Sequence, residues 1–264
     1  MRRICILLVS LLSVTLVTWA ADDVAYSKHW LQGVPVHVVT ANLNSQNVKV
    51  SPAIARHGIG TSEGFGSMIS RLRPAAAITG TYFCVRSLIP VGHIAIDSKL
   101  VNMGCVGTPV CFDDDNAVWF KPYNRPVPSA GDYESILCSG PRLVKDGVVT
   151  LTPRAEGFRD RHLYRPAQRS ALGVTKYNKL LLVTVNRPIY MGKMAKIMRE
   201  LGAVDAINLD GGSSTGLYCD GRTLSHPGRR LTNLIVVYET PTQFARAKSQ
   251  LAPAPIVATV QSKS

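Results

Sequence analysis

The densest chemistry in the chain lies in Ala206-Ile207-Asn208-Leu209-Asp210-Gly211-Gly212-Ser213-Ser214-Thr215. An apolar run delivers a carboxylate, two glycines and then three hydroxyls. The glycines permit a sharp turn and a close ligand approach, and exposed N–H groups and hydroxyls supply donors for an anion or a sugar. The same letters also suit an ordinary turn, because Asp-Gly is a common hairpin signal. No lysine follows the glycines at the spacing of a P-loop. A second locus is arginine-rich: Arg154, Arg159, Arg161, Arg165 and Arg169, with His162 among them and no lysine. The guanidinium fork matches carboxylate or phosphate oxygens in pairs, which points to an anionic ligand. A solvated basic surface accounts for the same composition. A third locus, Ile78-Thr79-Gly80-Thr81-Tyr82-Phe83, ends an apolar run at a glycine and follows it with two aromatics. These rings either pack into the core or, at a sugar site, let Tyr82 present a flat face to a pyranose.

The elements that must hold these loci are mostly strands. Val34–Leu43 and Val48–Ile54 read as a strand pair closed by the polar turn Asn44-Ser45-Gln46-Asn47. Glu63–Leu72 reads as a short helix ahead of Pro74, and Ala75–Thr79 as a strand broken at Gly80. Short strands follow at Ile94–Ile96, Ala117–Phe120 and Ser135–Cys138, and Arg142–Thr152 reads as a hairpin turning at Asp146-Gly147. Pro153–Gln168 is polar, basic and without period, the signature of a long surface loop. Ser170–Thr175 and Leu180–Val185 are strands, and Met191–Leu201 is a helix stopped by Gly202. Ala203–Leu209 and Leu234–Tyr238 are buried-type strands. Strands outnumber helices without regular alternation, so the expected class is α+β: a single domain of mixed, mostly antiparallel sheets with a few short helices.

The ends of the chain differ from its middle. Arg2 and Arg3, the uncharged run Ile4–Val17 and Thr18-Trp19-Ala20 read as a signal peptide over residues 1–20, which implies a secreted or periplasmic protein; an uncleaved anchor is the other reading. Residues 21–240 form the expected domain, and 241–264, rich in Ala, Pro, Ser and Gln, the expected flexible tail. The formal charge of +13 suggests an acidic partner. Nucleic acid fits poorly, since aromatics make up only 7% and do not interleave with the basic run. No internal run is long and apolar enough for stable membrane insertion. Cys105 and Cys111 flank a Gly/Pro loop suited to a local disulfide. Neither a Cys-x-x-Cys pair nor a paired His suggests zinc, and Asp113-Asp114-Asp115 suits a solvated turn better than a hard cation, so no metal or cofactor is expected.

In order along the chain, the three loci resemble the phosphodiester glycosidase family, that of the N-acetylglucosamine-1-phosphodiester α-N-acetylglucosaminidase or mannose 6-phosphate uncovering enzyme. The family's Ala-Ile-Asn-Gly-Gly-Phe-Phe is matched by Ala77-Ile78-Thr79-Gly80-Thr81-Tyr82-Phe83, with Thr79 in place of Asn and Thr81 in place of the second Gly. Its Gly-x-Pro-x-Leu-Val-x-x-Gly is matched by Gly140–Gly147, one residue shorter before the proline, and its Arg-Thr-Ala-Ile-Gly by Arg169–Gly173. Ala206–Thr215 matches the Asp-Gly-Gly block, and Arg229-Arg230-Leu231-Thr232-Asn233 matches the final Arg-x-x-x-Asn, whose spacing selects Arg229.

The resemblance implies hydrolysis of a glycosyl phosphodiester, N-acetylglucosamine-1-phosphodiester-like, which releases the sugar and leaves a phosphate monoester. It makes a phosphorylated glycan or sugar phosphate the expected substrate. On it, Arg169 and Arg229 clamp the phosphate, and Asp210 stabilises the cationic sugar carbon or activates water beside it. Thr79, Gly80, Tyr82, Asn208, Gly211, Gly212, Ser213, Ser214 and Asn233 are the expected substrate-binding residues. Glu63, Asp97 and Asp205 are candidates for a second carboxylate, although Asp205 faces away from Asp210 on an extended strand, and His93 is a candidate proton carrier. The rival function is a non-catalytic extracytoplasmic module that binds anionic cell-surface glycans.

Overall fold

A computed structural model of the protein describes residues 22–123 and 127–253. The leader-like residues 1–20 lie outside the described residues, as does the end of the chain after residue 253. In chain order the elements are β1 (Val24–Leu31), β2 (Val34–Asn42), β3 (Lys49–Ile54), α1 (Phe65–Leu72), β4 (Ala76–Thr79), β5 (Ile94–Ile96) and β6 (Lys99–Asn102). Next come β7 (Thr108–Phe112), β8 (Val118–Phe120), β9 (Ser135–Ser139), β10 (Arg142–Lys145), β11 (Val148–Val149), β12 (Ala167–Thr175) and β13 (Lys179–Ile189). The chain continues with α2 (Met191–Glu200), β14 (Ala203–Asn208), β15 (Leu217–Cys219), β16 (Arg222–Ser225), β17 (Asn233–Tyr238) and α3 (Pro241–Leu251).

The strands build three sheets, in the orders β1-β2-β13-β12-β14-β10-β11, β16-β15-β4-β17-β3 and β6-β5-β9-β7-β8. Paired strands within each are antiparallel, so the protein is α+β as its residue pattern implies.

Side-chain alternation explains the layering. In β2, Val34, Val36 and Val38 face α2 while Val39 and Ala41 face the second sheet. Likewise in β13, Leu181, Val183 and Val185 face α2 while Leu180 and Leu182 face inward. These strands are buried on both faces, which is why they read as continuous apolar runs. The inner core packs Leu172, Leu182 and Ile207 of the large sheet against Ile78, Leu217 and Ile235 of the second, with Val110 and Leu137 of the third closing one end. On the far side of the second sheet, α1 seats Phe65, Met68, Ile69 and Leu72 against Ala77, Leu234 and Val236.

Two expectations change here. The β2 and β3 strands do not pair with each other; β2 lies between β1 and β13, and β3 pairs with β17. The turn Asn44–Asn47 therefore carries the chain between sheets. A polar turn between two apolar runs has the same local signature in either case. From Pro241 the chain forms α3 in place of a flexible tail. Thr240 caps the helix through Gln243 N–H, Pro241 takes the first turn, and Ala247 and Leu251 are buried against the second sheet. The local disulfide is also absent, because Cys111 is a free, fully buried thiol on β7.

Leu251→Ala should lower unfolding free energy by about 2 kcal/mol or more, as for other buried leucines, whereas an unattached tail would tolerate it. Chemical denaturation of the two proteins decides between them.

Candidate active site

β4, β14 and β17 end at one point. Asp210 N–H donates to the Gly80 carbonyl at 2.9 Å, Gly80 N–H to the Asn233 carbonyl at 3.2 Å, and Thr81 N–H to Asn233 Oδ1 at 2.7 Å. Gly80 is required there: a Cβ would lie 2.0 Å from Asn233 Oδ1. Gly211 is required for the same reason, since a Cβ would stand 2.6 Å from the Gln168 carbonyl at the start of β12. Beyond the strand end, Gly212–Ser214 forms a 3₁₀ turn. The Asp-Gly step is thus no hairpin turn; it ends a buried strand at a place where only bare backbone fits.

Asp210 is buried, and Arg229 meets it. Arg229 Nη2 donates to Asp210 Oδ2 at 3.1 Å, its Nε donates to Ser214 Oγ at 2.6 Å, and its guanidinium lies 4.4 Å from the Phe83 ring centre. Gly211 N–H donates to Asp210 Oδ1 at 2.9 Å. Burial pushes the Asp210 carboxyl above its ordinary range; the Ser214 hydroxyl, Arg229 and the Gly211 N–H pull it back without cancelling that rise. Arg230 points elsewhere and donates to the Ser62 carbonyl.

Arg169, on β12, is only 3% exposed. Its Nε donates to the Ile189 carbonyl at 3.2 Å, and its Nη2 donates to the Leu163 and Arg165 carbonyls at 3.0 and 2.6 Å. No described residue accepts a hydrogen bond from Nη1, and Arg169 lines a cavity. Burial lowers the Arg169 pKa, but from so high a value that the group stays charged.

Asp210, Arg169 and Arg229 line one cavity of about 810 Å³ with Tyr82, Phe83, Phe158, Gly211, Gly212 and Ser213. Its sequence signature is equally plain: a phosphodiester glycosidase model matches residues 73–238. The chain belongs to the phosphodiester glycosidase family. Among solved structures, a hypothetical protein from Synechocystis superposes with a TM-score of 0.73 at 18% identity, over 81% of this chain and 62% of that one. The chain thus spans less than two thirds of that protein's length. The zebrafish N-acetylglucosamine-1-phosphodiester α-N-acetylglucosaminidase catalytic domain, auto-inhibited by its pro-peptide, gives 0.64 at 20% identity, over 81% and 82%. At these identities the likeness is one of fold. No curated protein matches the sequence.

Within this glycosidase-family cavity the expected residues fall into two groups. Tyr82, Arg169, Asp210, Gly211, Gly212, Ser213 and Arg229 form its wall. Thr79, Gly80, Asn208, Ser214 and Asn233 do not. Each lies behind that wall, where it shapes the residues in front. Thr79 N–H donates to the Gly216 carbonyl, Asn208 Nδ2 donates to the Tyr82 hydroxyl, Ser214 receives Arg229, and Asn233 holds the Gly80-Thr81 turn. Thr79, 1% exposed, is a strand residue here, so its departure from the family's Asn alters the support and not the lining.

The proposed second carboxylates lie outside the cavity. Glu63 accepts from Arg71 at 2.7 Å, Asp97 pairs with Lys248 at 2.5 Å, and Asp205 pairs with Arg142. His93 is buried with neither ring nitrogen partnered, and burial lowers its pKa; it does not reach the cavity. Among the described residues no group of three or more His, Cys, Asp or Glu side chains is arranged to hold a metal. No described helix is long and apolar enough to cross a membrane.

Phe83, Phe158 and Leu163 are among the wall residues missed from sequence. Phe83 sat beside Tyr82 in the quoted motif and its position was the available signal. Phe158 and Leu163 come from the segment read as an aperiodic surface loop. It contains 3₁₀ turns at Pro153–Glu156 and Arg161–Tyr164, and it buries Glu156, whose carboxylate accepts from the Thr108 hydroxyl and the Arg142 N–H.

The raised Asp210 carboxyl has a consequence for stability. The folded protein holds that proton more tightly than the unfolded chain, so the group's contribution is complete below the unfolded pKa and is lost as pH rises through the folded one. The Tm of Asp210→Asn relative to the parent should therefore rise as pH increases above the unperturbed value of 3.8. Thermal melts of both proteins over that rise in pH test it, and a constant difference would contradict the assigned direction.

Proposed function

We propose that the protein hydrolyses the sugar–phosphate bond of a glycosyl phosphodiester, N-acetylglucosamine-1-phosphodiester-like, and that it works outside the cytoplasm. The observation that carries this is the meeting of Asp210, Arg229 and Arg169 in one cavity. Family membership supports the reaction class. The zebrafish domain of similar fold is an enzyme of that chemistry by its printed name.

Charge balance suits the substrate. With Asp210 ionised, the Asp210–Arg229 pair is neutral and Arg169 leaves one net positive charge, the complement of a phosphodiester monoanion. Arg169 Nη1 binds a phosphoryl oxygen. Arg229, one-third exposed, orients Asp210 on one edge and faces the phosphate on the other. Tyr82 and Phe83 flank the sugar.

In the chemical step the bond from the anomeric carbon to the phosphate oxygen breaks, and its electron pair leaves with the phosphate. Positive charge develops on the sugar carbon, where the Asp210 carboxylate stabilises it. A water oxygen then bonds to that carbon, and its proton passes to Asp210 or to the departing phosphate. A phosphate monoester leaves far more readily than an alkoxide, so the acid that ordinary glycosidases place opposite their second carboxylate is dispensable. One deep carboxylate in the cavity agrees with this; Asp160, the other carboxylate on its wall, is exposed.

A chromogenic sugar-1-phosphodiester tests the proposal directly. Sugar release is expected, and binding without release would favour the glycan-binding alternative. Asp210→Asn should lower kcat by about 10³-fold or more, the scale on which a charge-stabilising group acts. The kcat/KM profile should rise with pH through a value above 3.8, because Asp210 must ionise. Arg169→Lys should raise KM about tenfold, with a smaller effect on free-sugar binding, because one ammonium cannot hold the Ile189, Leu163 and Arg165 carbonyls and also reach the phosphate. Equal losses for both ligands would remove Arg169 from the phosphate.

A further inference from the structure

The loop between β11 and β12 carries a second cavity on its outer side. Its volume is about 1030 Å³, and Arg154, Arg159, Arg161, Arg165, His162 and Tyr164 are among its lining residues. Two of these, Arg159 and His162, also line the cavity that holds Asp210, so the two spaces adjoin.

Most of the charge in this outer cavity is unpaired, although Asp160 feels the charge of Arg165. Among the described residues none of the four arginines has a carboxylate within ion-pair distance. Asp160 is turned to His162 at 3.0 Å, and Glu156 points inward to the Thr108 hydroxyl and the Arg142 N–H. Four like charges around one opening repel one another, and a bound anion relieves that repulsion. The array is also fixed to the reaction centre, because Arg169 donates to the carbonyls of Leu163 and Arg165.

We propose that this outer cavity binds a second phosphate carried by the leaving group. The preferred substrate is then a glycosyl phosphodiester whose aglycone bears at least one further phosphate. The scissile phosphate sits on Arg169, and the next enters the arginine array past Arg159 and His162. A tetrahedral phosphate offers oxygens in several directions, so forks converging from different parts of the loop can share it; a planar carboxylate satisfies one fork. The identity of the scissile bond rests on the glycosidase reading above, but the anion site itself does not.

Calorimetric titration with inorganic tripolyphosphate tests the site without requiring turnover. The full-length protein should bind it, with affinity falling as ionic strength rises. Arg154→Gln/Arg161→Gln, two exposed positions, should weaken binding by about tenfold or more, and Arg154→Lys/Arg161→Lys should restore it only in part. Asp210→Asn should bind tripolyphosphate like the parent or more tightly. In kinetics, phosphorylating the aglycone of a sugar-1-phosphodiester should lower KM about tenfold in the parent, and that ratio should approach one in the double Gln protein.

Tripolyphosphate binding that ignores both double substitutions would overturn the site, even if sugar release is observed. Equal affinity for citrate would overturn its assignment to phosphate. Arginine-dependent sedimentation with phosphatidylglycerol vesicles, without tripolyphosphate binding, would place the array on a membrane surface instead. Arginine-dependent tripolyphosphate binding with no sugar release from any phosphodiester would uphold the site and remove the glycosidase reading.

Discussion

A single backbone hydrogen bond, from Asp210 N–H to the Gly80 carbonyl, ties the end of the large sheet to the end of the second one. Around it, Asn233 on β17 satisfies the Gly80-Thr81 turn with both its backbone and its side chain. Three strands thus terminate against one another with no space for a side chain at Gly80. The polar groups of the cavity wall depend on that junction. Asp210 takes its direction from it, the 3₁₀ turn after Gly211 brings Ser214 to Arg229, and Arg229 returns to Asp210. Rigidity at the strand ends lets a short loop hold a carboxylate in a fixed direction.

The electrostatics of the junction work against stability. A carboxylate in so dry a place loses hydration that one arginine, one hydroxyl and one N–H do not fully restore. Arg169 is buried too, and its nearest acceptors are neutral carbonyls, so its charge is solvated but not neutralised. A core selected for stability alone would avoid both groups. Here they converge on one cavity, a common setting for such perturbed groups.

Much of the architecture was legible locally. Strands buried on both faces announced themselves as apolar runs, α1 and α2 by their period, and the turns at Asp146-Gly147 and Gly202 by residues suited to positive φ. β1 and the short strands β6, β15 and β16 were missed, the last three because runs of 3 or 4 residues are too brief for an alternating period to show. The α3 helix was missed because its Ala- and Gln-rich face buries only Ala247 and Leu251. Its cap, Thr240 with Pro241, was the overlooked signal.

Residue types alone marked Asp210 with its two glycines, the arginine loop and the aromatic pair at Tyr82-Phe83 as chemically unusual, and the order of the motifs pointed to the family. Local pattern carries that much because turn geometry, burial period and side-chain chemistry act over a few residues. Tertiary contacts decided the rest: Asn208 meets Tyr82 and Asn233 meets Thr81 across 126 and 152 residues, so both stand behind the wall; Asp205 is taken by Arg142 across 63 residues; and one loop faces two adjoining cavities. Such contacts arise only when sheets stack and strand ends meet, and no repeat or spacing within a segment encodes which distant end it will meet.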